Sequence, residues 1–186
     1  MTQAWLNRIG TAVPRHDIHA EFVDFGRTAL ADVRSRALFD RMADLADIEH
    51  RYSFFEPGPK PRDQILDSEG FYRRRDFPST GARMALYRDA ALALARQAIG
   101  ALDIAAERDA ISHLIVASCT GFTAPGLDFD IMQDAGLATT VERTIVGFMG
   151  CFAAVNALKL ARHIVRSEPG AKVLVVNLEL SSLHLQ

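Results

Sequence analysis

Cys151 and Cys119 are the two residues of this 186-residue chain whose type and placement best suit covalent chemistry. Cys151 follows the pair Met149-Gly150 and opens Phe152–Arg166, a segment of helical period. A thiol in the first turn of a helix faces unpaired backbone N–H groups and the positive end of the helix dipole. Both favour the thiolate, the form that acts as a nucleophile. Gly150 carries no side chain to obstruct an approaching substrate. A plainer role competes, because free cysteine is among the most buried residue types and usually behaves as a small hydrophobe. Local spacing leaves both readings open.

The histidines do not settle the matter. His113, His163 and His184 are candidate bases for Cys151; His163 lies on the polar stripe of the same helix, and the other two sit on strands of undefined ends. No CxxC occurs and the histidines are scattered, so neither a disulfide framework nor a zinc site is expected. The nucleophile-elbow pattern G-x-[S/C]-x-G fails around Cys151 at both glycine positions. The phosphate-cradling patterns G-x-x-x-x-G-K-[S/T] and G-x-G-x-x-G are absent as well. The run Arg73-Arg74-Arg75 reads as a solvated turn before it reads as a phosphate contact.

The elements that must position Cys151 follow from periodicity. Val141–Phe148 is a β-branched strand, Met149-Gly150 a turn, Phe152–Arg166 a helix, and Lys172–Leu178 a continuous apolar run of strand length. On a wheel of ~100° per residue the polar side chains of this helix fill an arc of roughly 120°. The helix is therefore expected to be buried on most of its circumference, between two layers. Upstream, Trp5–Val13 reads as a first strand, His19–Asp32 and Ser35–Glu49 as helices, and the proline-rich Glu56–Asp63 as a loop. A helix is expected over Arg83–Ile99, capped by Ser79 or Thr80 and ended by Gly100, followed by a short helical turn between Asp103 and Asp109. His113–Ser118 is an apolar strand and Leu127–Ala135 a short helix stopped by Gly136. Strands alternating with helices predict an α/β fold with a largely parallel sheet. Cys119 would sit at the C-terminal end of a strand, the edge where such sheets place ligands, so both cysteines are expected to approach one cleft.

Bulk properties narrow the class. With 49% hydrophobic residues, 24% charged residues and a net charge of -2, the chain suits a soluble globular domain with a sizeable core. The balanced charge gives no reason to expect nucleic acid. The N-terminal segment lacks the apolar core of a signal peptide, and no apolar run approaches the ~20 residues of a membrane span. A cytoplasmic protein is expected.

Together the motifs resemble a known family. Val146-Gly-Phe-Met-Gly-Cys151-Phe-Ala-Ala, the helix that follows, and the strand Ala171-Lys-Val-Leu-Val-Val-Asn-Leu-Glu179 resemble the nucleophile region of type III polyketide synthases, the chalcone-synthase-like members of the thiolase fold. Ser118-Cys119-Thr-Gly121-Phe-Thr-Ala-Pro125-Gly126 looks like the family's pocket motif, and Ile48-Glu-His-Arg51-Tyr52 also fits. The wording is closer to bacterial members than to plant ones. The resemblance implies a layered αβαβα architecture, with residues 1–186 as the N-terminal half of the synthase domain. It implies Cys151 as the nucleophile that holds starter and growing polyketide as thioesters. Cys119, Thr120 and Gly121 would line the pocket, Ala124 would lie at a dimer interface, and Arg41 would be one of the contacts to the phosphates of coenzyme A. Leu38 and Leu45 stand where relatives carry lysine, so that coenzyme A site is rebuilt or weaker here.

The implied activity is loading of an acyl-CoA, decarboxylative extension with malonyl-CoA, and cyclisation to a pyrone or resorcinol. No cofactor beyond the coenzyme A thioesters is implied, and a homodimer is. Family members run to roughly twice this length and keep their catalytic His, Asn and a gatekeeping Phe in the second half. The chain stops at Leu183-His184-Leu185-Gln186, before any of them, and His184 does not match the catalytic His. Two alternatives stand beside this: a single-condensation enzyme like ketoacyl synthase III, partnered by acyl carrier protein, and a non-catalytic half-fold acting as a dimerisation or binding module.

Overall fold

The computed structural model describes residues 3–59 and 65–185 and divides into two units. One comprises Met1–Ala12 with Arg83–Leu183, and the other Val13–Ala82 with His184–Gln186.

The first unit is built on a three-stranded parallel sheet: β3 (His113–Ser118) in the centre, β4 (Glu142–Gly147) and β5 (Val173–Asn177) on its flanks. Every residue of β3 is buried, which is why it reads as a continuous apolar run. Strand alternation sends Ile115 and Ala117 to one face, where they meet Ala153 and Ala157 of α5 (Phe152–Ser167). Alanines at that contact let helix and sheet backbones approach closely. Leu114 and Val116 are buried on the other face.

Two further helices complete this unit, α3 (Thr80–Leu102) and α4 (Leu127–Asp134). They are laced by charge: Arg88 grips Asp130 with bonds of 2.7 and 2.6 Å, and Arg96, two turns further along α3, pairs with Asp134, one turn further along α4. Asp128 and Asp130 lie in the first turn of α4, where the helix dipole favours carboxylate. A 3-10 turn, Arg108–Ala110, stands where a short helical turn was expected.

Three expectations fail here. Trp5–Val13 forms no strand; it runs as irregular chain, with Gly10 so close to α3 that a Cβ would lie 2.4 Å from the Ala98 carbonyl. Gly100 does not end α3, which continues to Leu102; Asp103 supplies the left-handed closing residue, with φ 51°. Nor is α5 buried on most of its circumference. Only Ala153 and Ala157 are buried, while Phe152, Val155 and Leu158 are 59%, 47% and 48% exposed. The sheet covers one face of the helix, and no second layer among the described residues covers the other. By contrast Gly136, with φ +63°, stops α4 as its sequence position suggests.

The second unit holds β1 (His16–Asp17) and β2 (Tyr52–Ser53), an antiparallel pair, with α1 (His19–Ala29) and α2 (Val33–Leu45) between them. Asp32 caps α2 by accepting the Ser35 N–H at 2.8 Å. Phe39 of α2 lies against Gly26 of α1, where any side chain would collide with its ring. An aromatic cluster of Phe55, Phe71 and Tyr72 forms around the buried Asp67, whose carboxylate accepts the N–H groups of Phe71 and Tyr72. The loop expected over Glu56–Asp63 is irregular through Pro59, and the rest of it lies outside the described residues. Arg73–Arg75 lies in a turn, with Arg73 bonded to the Gly70 carbonyl at 2.9 Å.

Candidate active site

β3, β4 and β5 run parallel, so their C-terminal ends share one edge, and Cys119, Thr120 and Cys151 lie at it. Cys119 and Thr120 follow β3, Phe148–Cys151 follow β4, and Glu179 follows β5.

Cys151 is the N-cap residue of α5, and its thiol makes no capping hydrogen bond. It is exposed. That argues against the small-hydrophobe role, since a core-filling cysteine would be shut away from water. The turn that delivers it is unusual: Phe148 and Gly150 both adopt positive φ, 57° and 66°. Glycine does so without strain, but a bulky aromatic does not, and such a residue costs about 1–3 kcal/mol unless its surroundings hold it.

Cys119 supplies part of that hold. Its sulfur accepts the Met149 N–H at 3.1 Å, and its S–H donates to the Gly150 carbonyl at 3.5 Å. The two cysteines are thus brought together through the turn before Cys151. Cys119 is itself fixed from behind. Both carboxylate oxygens of Glu179 accept its backbone N–H, at 2.9 and 3.1 Å. Thr120 completes the clasp, its hydroxyl accepting the Leu180 N–H at 2.8 Å. Glu179 is the residue that reasoning on chemistry-bearing side chains left without a role. Its signal was an acid just beyond a strand, on the edge where parallel sheets build sites.

Gly121 lies against the Tyr87 ring, 2.2 Å from where its Cβ would stand. The Tyr87 hydroxyl meets the Ser118 hydroxyl at 2.7 Å, and burial raises its pKa above the usual 10. Ala124 is exposed on the loop that leads to α4 and precedes a cis peptide bond to Pro125. The rings of Phe122 and Phe148, both largely exposed, stand 6.2 Å apart beside this loop and turn.

The candidate bases do not join the site. His113 is buried at the opposite end of β3, roughly 16 Å of strand from Ser118, bonded to the Ser112 hydroxyl and close to Glu142 and Glu168. His163 is exposed three turns along α5. His184 closes the 3-10 turn Ser181–His184 rather than a strand. Arg41 lies in the other unit, exposed on α2, with Leu38 and Leu45 exposed on the same helix. Among the described residues no group of three or more His, Cys, Asp or Glu could hold a metal ion, and no helix is long and apolar enough to cross a membrane.

Known proteins resemble this chain both in sequence and in fold. The family profile of chalcone and stilbene synthases, N-terminal domain, matches residues 1–186. The "Alpha-pyrone synthesis polyketide synthase-like Pks18" of Mycobacterium tuberculosis is 32% identical over 188 residues, covering 98% of this chain and 45% of that protein. Bisdemethoxycurcumin synthase of Oryza sativa subsp. japonica is also 32% identical, over 95% of this chain and 44% of its own length. The chain therefore spans less than half the length of the curated relatives it matches. In three dimensions it superposes on the C-terminal type III polyketide synthase domain of Steely1 from Dictyostelium with a TM-score of 0.83, at 22% identity, over 98% of this chain and 49% of that one. A structure of CsyB complexed with CoA-SH gives 0.75 at 21% identity, over 95% and 46%. The fold is the thiolase-like α/β fold of these enzymes, and the chain belongs to the chalcone and stilbene synthase family, the type III polyketide synthases, as their N-terminal half.

Proposed function

We propose that Cys151 is the acyl acceptor of a type III polyketide synthase. In the intact enzyme its thiolate attacks the carbonyl of an acyl-CoA starter, coenzyme A leaves as the thiol, and the acyl group remains as a thioester on Sγ. Malonyl-CoA then extends it by decarboxylative condensation, and the product cyclises to a pyrone or resorcinol. The observation that carries this reading is the exposed thiol at the start of α5, delivered by a turn that Cys119 clamps from behind. Core packing alone gives no reason to hold Phe148 at positive φ; presenting a thiol at a helix N-terminus does.

On this reading Thr120 and Gly121 shape the pocket wall, Arg41 contacts coenzyme A phosphate, and Ala124 lies at the interface of a homodimer. The reaction needs a base for the thiol and hydrogen-bond donors for the thioester carbonyl and the carbanion, each typically worth orders of magnitude in rate. The family resemblance assigns those to a His and an Asn in the second half of the domain. The protein acts in the cytoplasm, with no cofactor beyond its thioester substrates.

The test is intact-mass spectrometry after incubation with an acyl-CoA. The expected result is one acyl adduct, lost on treatment with hydroxylamine and absent in Cys151→Ala. An adduct that survives the substitution overturns the assignment. One observation favours a second reading for the chain by itself: the bare apolar face of α5 is what an interaction module would present, and such a module would associate without accepting an acyl group.

A further inference from the structure

The parallel ladder between β3 and β5 gives way to side-chain bonds at the edge that carries Cys151. The register of the two strands ends at Ala117 and Asn177, and the last main-chain bond runs from the Leu178 N–H to the Ala117 carbonyl at 2.9 Å. Beyond it, each chain segment offers an N–H that a side chain of the other segment accepts: Glu179 accepts from Cys119, and Thr120 accepts from Leu180. A side chain reaches farther than a main-chain carbonyl, so the strand ends can spread and still be tied. The two ties differ in strength. Thr120 makes a neutral bond, whereas the Glu179 bond is charge-assisted and roughly twice as strong. Glu179 also stands between Leu178 and Leu180, which are 4% and 3% exposed, and a carboxylate in such surroundings is costly unless its oxygens are bonded. The Cys119 that it holds is the residue whose sulfur meets the Met149 N–H at 3.1 Å and the Gly150 carbonyl at 3.5 Å. Contacts therefore run without a break from the Glu179 carboxylate to the Cys119 main chain, from the Cys119 sulfur to the turn, and from Gly150 to the adjoining Cys151.

We propose that Glu179 is a positioning residue for acyl transfer: it fixes the Cys119 main chain so that the Cys119 sulfur holds the turn 148–150, and with it the Cys151 thiol, in the geometry of attack. The proposal rests on the reading of Cys151 as acyl acceptor. A general base would have to reach the Cys151 thiol, and both Glu179 oxygens are instead directed at the Cys119 N–H, at 2.9 and 3.1 Å. Glu179 thus acts through Cys119. Loss of the bond frees the Cys119 main chain, loosens the sulfur from the turn and lets the thiol drift from the start of α5, where the helix dipole favours its thiolate.

The experiment compares Glu179→Leu, Glu179→Gln and Arg88→Ala with wild type in the full-length protein. Arg88→Ala strips Asp130 of its partner and destabilises the same unit without touching the turn, so it controls for stability loss. Two rates are read at a temperature where melting curves show every variant folded. One is alkylation of Cys151 by iodoacetamide, with peptide mass spectrometry to count Cys119 separately. The other is single-turnover acylation over a range of octanoyl-CoA concentrations. Glu179→Leu is expected to lower both rates about tenfold or more, and to change the concentration for half-maximal acylation by less than about twofold, because a displaced nucleophile slows attack and not binding. Glu179→Gln keeps an oxygen for the Cys119 N–H and is expected to stay within about threefold of wild type. Arg88→Ala is expected to match wild type in both rates. Wild-type rates in Glu179→Leu overturn the proposal, and so does a slowing that Arg88→Ala shares. A glutamine variant as slow as the leucine variant also overturns it, since the charge and not the bond would then matter. If Glu179→Leu does not fold, Glu179→Asp takes its place: its carboxylate is one methylene short of the Cys119 N–H, and wild-type rates in it overturn the proposal equally. A wild type that alkylates at Cys151 but takes no octanoyl group sinks the acyl-acceptor reading, and the alkylation rates alone then decide the assignment of Glu179.

Discussion

The thiol of Cys119 does for the turn at Met149-Gly150 what a backbone partner would do elsewhere: it accepts one N–H and donates to one carbonyl. Serine reproduces both bonds and alanine neither. Cys119→Ala is therefore expected to cost about 1 kcal/mol of stability and to slow acylation of Cys151, with Cys119→Ser close to wild type. Thermal melting and the rate of thioester formation measure the two effects. If the alanine variant acylates at the wild-type rate, the clamp has no bearing on the nucleophile. Gly121 gives a harsher test. Its Cβ would penetrate the Tyr87 ring, and that ring cannot retreat without losing its bond to Ser118. Gly121→Ala is expected to destabilise the protein by about 1–3 kcal/mol, the usual cost of overpacking. An unchanged melting temperature would mean that the Tyr87 side chain moves freely.

The β1–β2 pair has a pH dependence of its own. The side chain of His50 bonds the Asp17 carboxylate at 2.6 Å, and the Arg51 N–H adds a second bond at 3.0 Å. These lower the Asp17 pKa from 3.8 to about 2, with the His50 bond the largest cause. The same bond raises His50 above 6.5. A depressed carboxylate stabilises the fold above its unfolded pKa, and that contribution disappears as pH falls from 3.8 through about 2. A raised histidine stabilises it below 6.5, and that contribution disappears as pH rises through the folded-state value. The pairing of His16–Asp17 with Tyr52–Ser53 is thus expected to be tightest between those limits. An NMR titration of His50 should show its pKa falling back toward 6.5 in Asp17→Asn. An unaltered titration would mean that the ion pair does not form in solution.

At the scale of the whole chain, the open question is what meets the uncovered side of α5. Phe152, Val155 and Leu158 fall on one stripe and stay exposed, although the opposite side of the helix is packed on the sheet. A helix apolar on both sides is made for the middle of a layered fold. The chain covers only 45% of its mycobacterial relative, and among the described residues nothing covers this stripe. Produced alone, the chain is expected to self-associate through this face, and Val155→Lys to reduce that association. Light scattering measures both. A clean monomer for the wild-type chain would mean that the face is tolerated in water.

Much of this was legible in the residue order. Periodicity located β3, β4, β5, α4 and α5 to within a residue or two, because runs of β-branched residues and helical spacing are local signals. The glycine-cysteine junction before α5 and the strand-end position of Cys119 were equally visible. Sequence alone could not show that the chain at Gly10 would press against α3 instead of pairing as a strand, since an alternating pattern does not say which partner the segment meets. Nor could it end α3 beyond Gly100, because a glycine stops a helix only where the chain then turns. Only the tertiary structure turned the Cys119 sulfur onto the Met149–Gly150 turn, set Glu179 behind it and closed Tyr87 over Gly121. Each of these contacts joins residues at least thirty positions apart, and long-range proximity is fixed by how the sheet is assembled, not by local pattern.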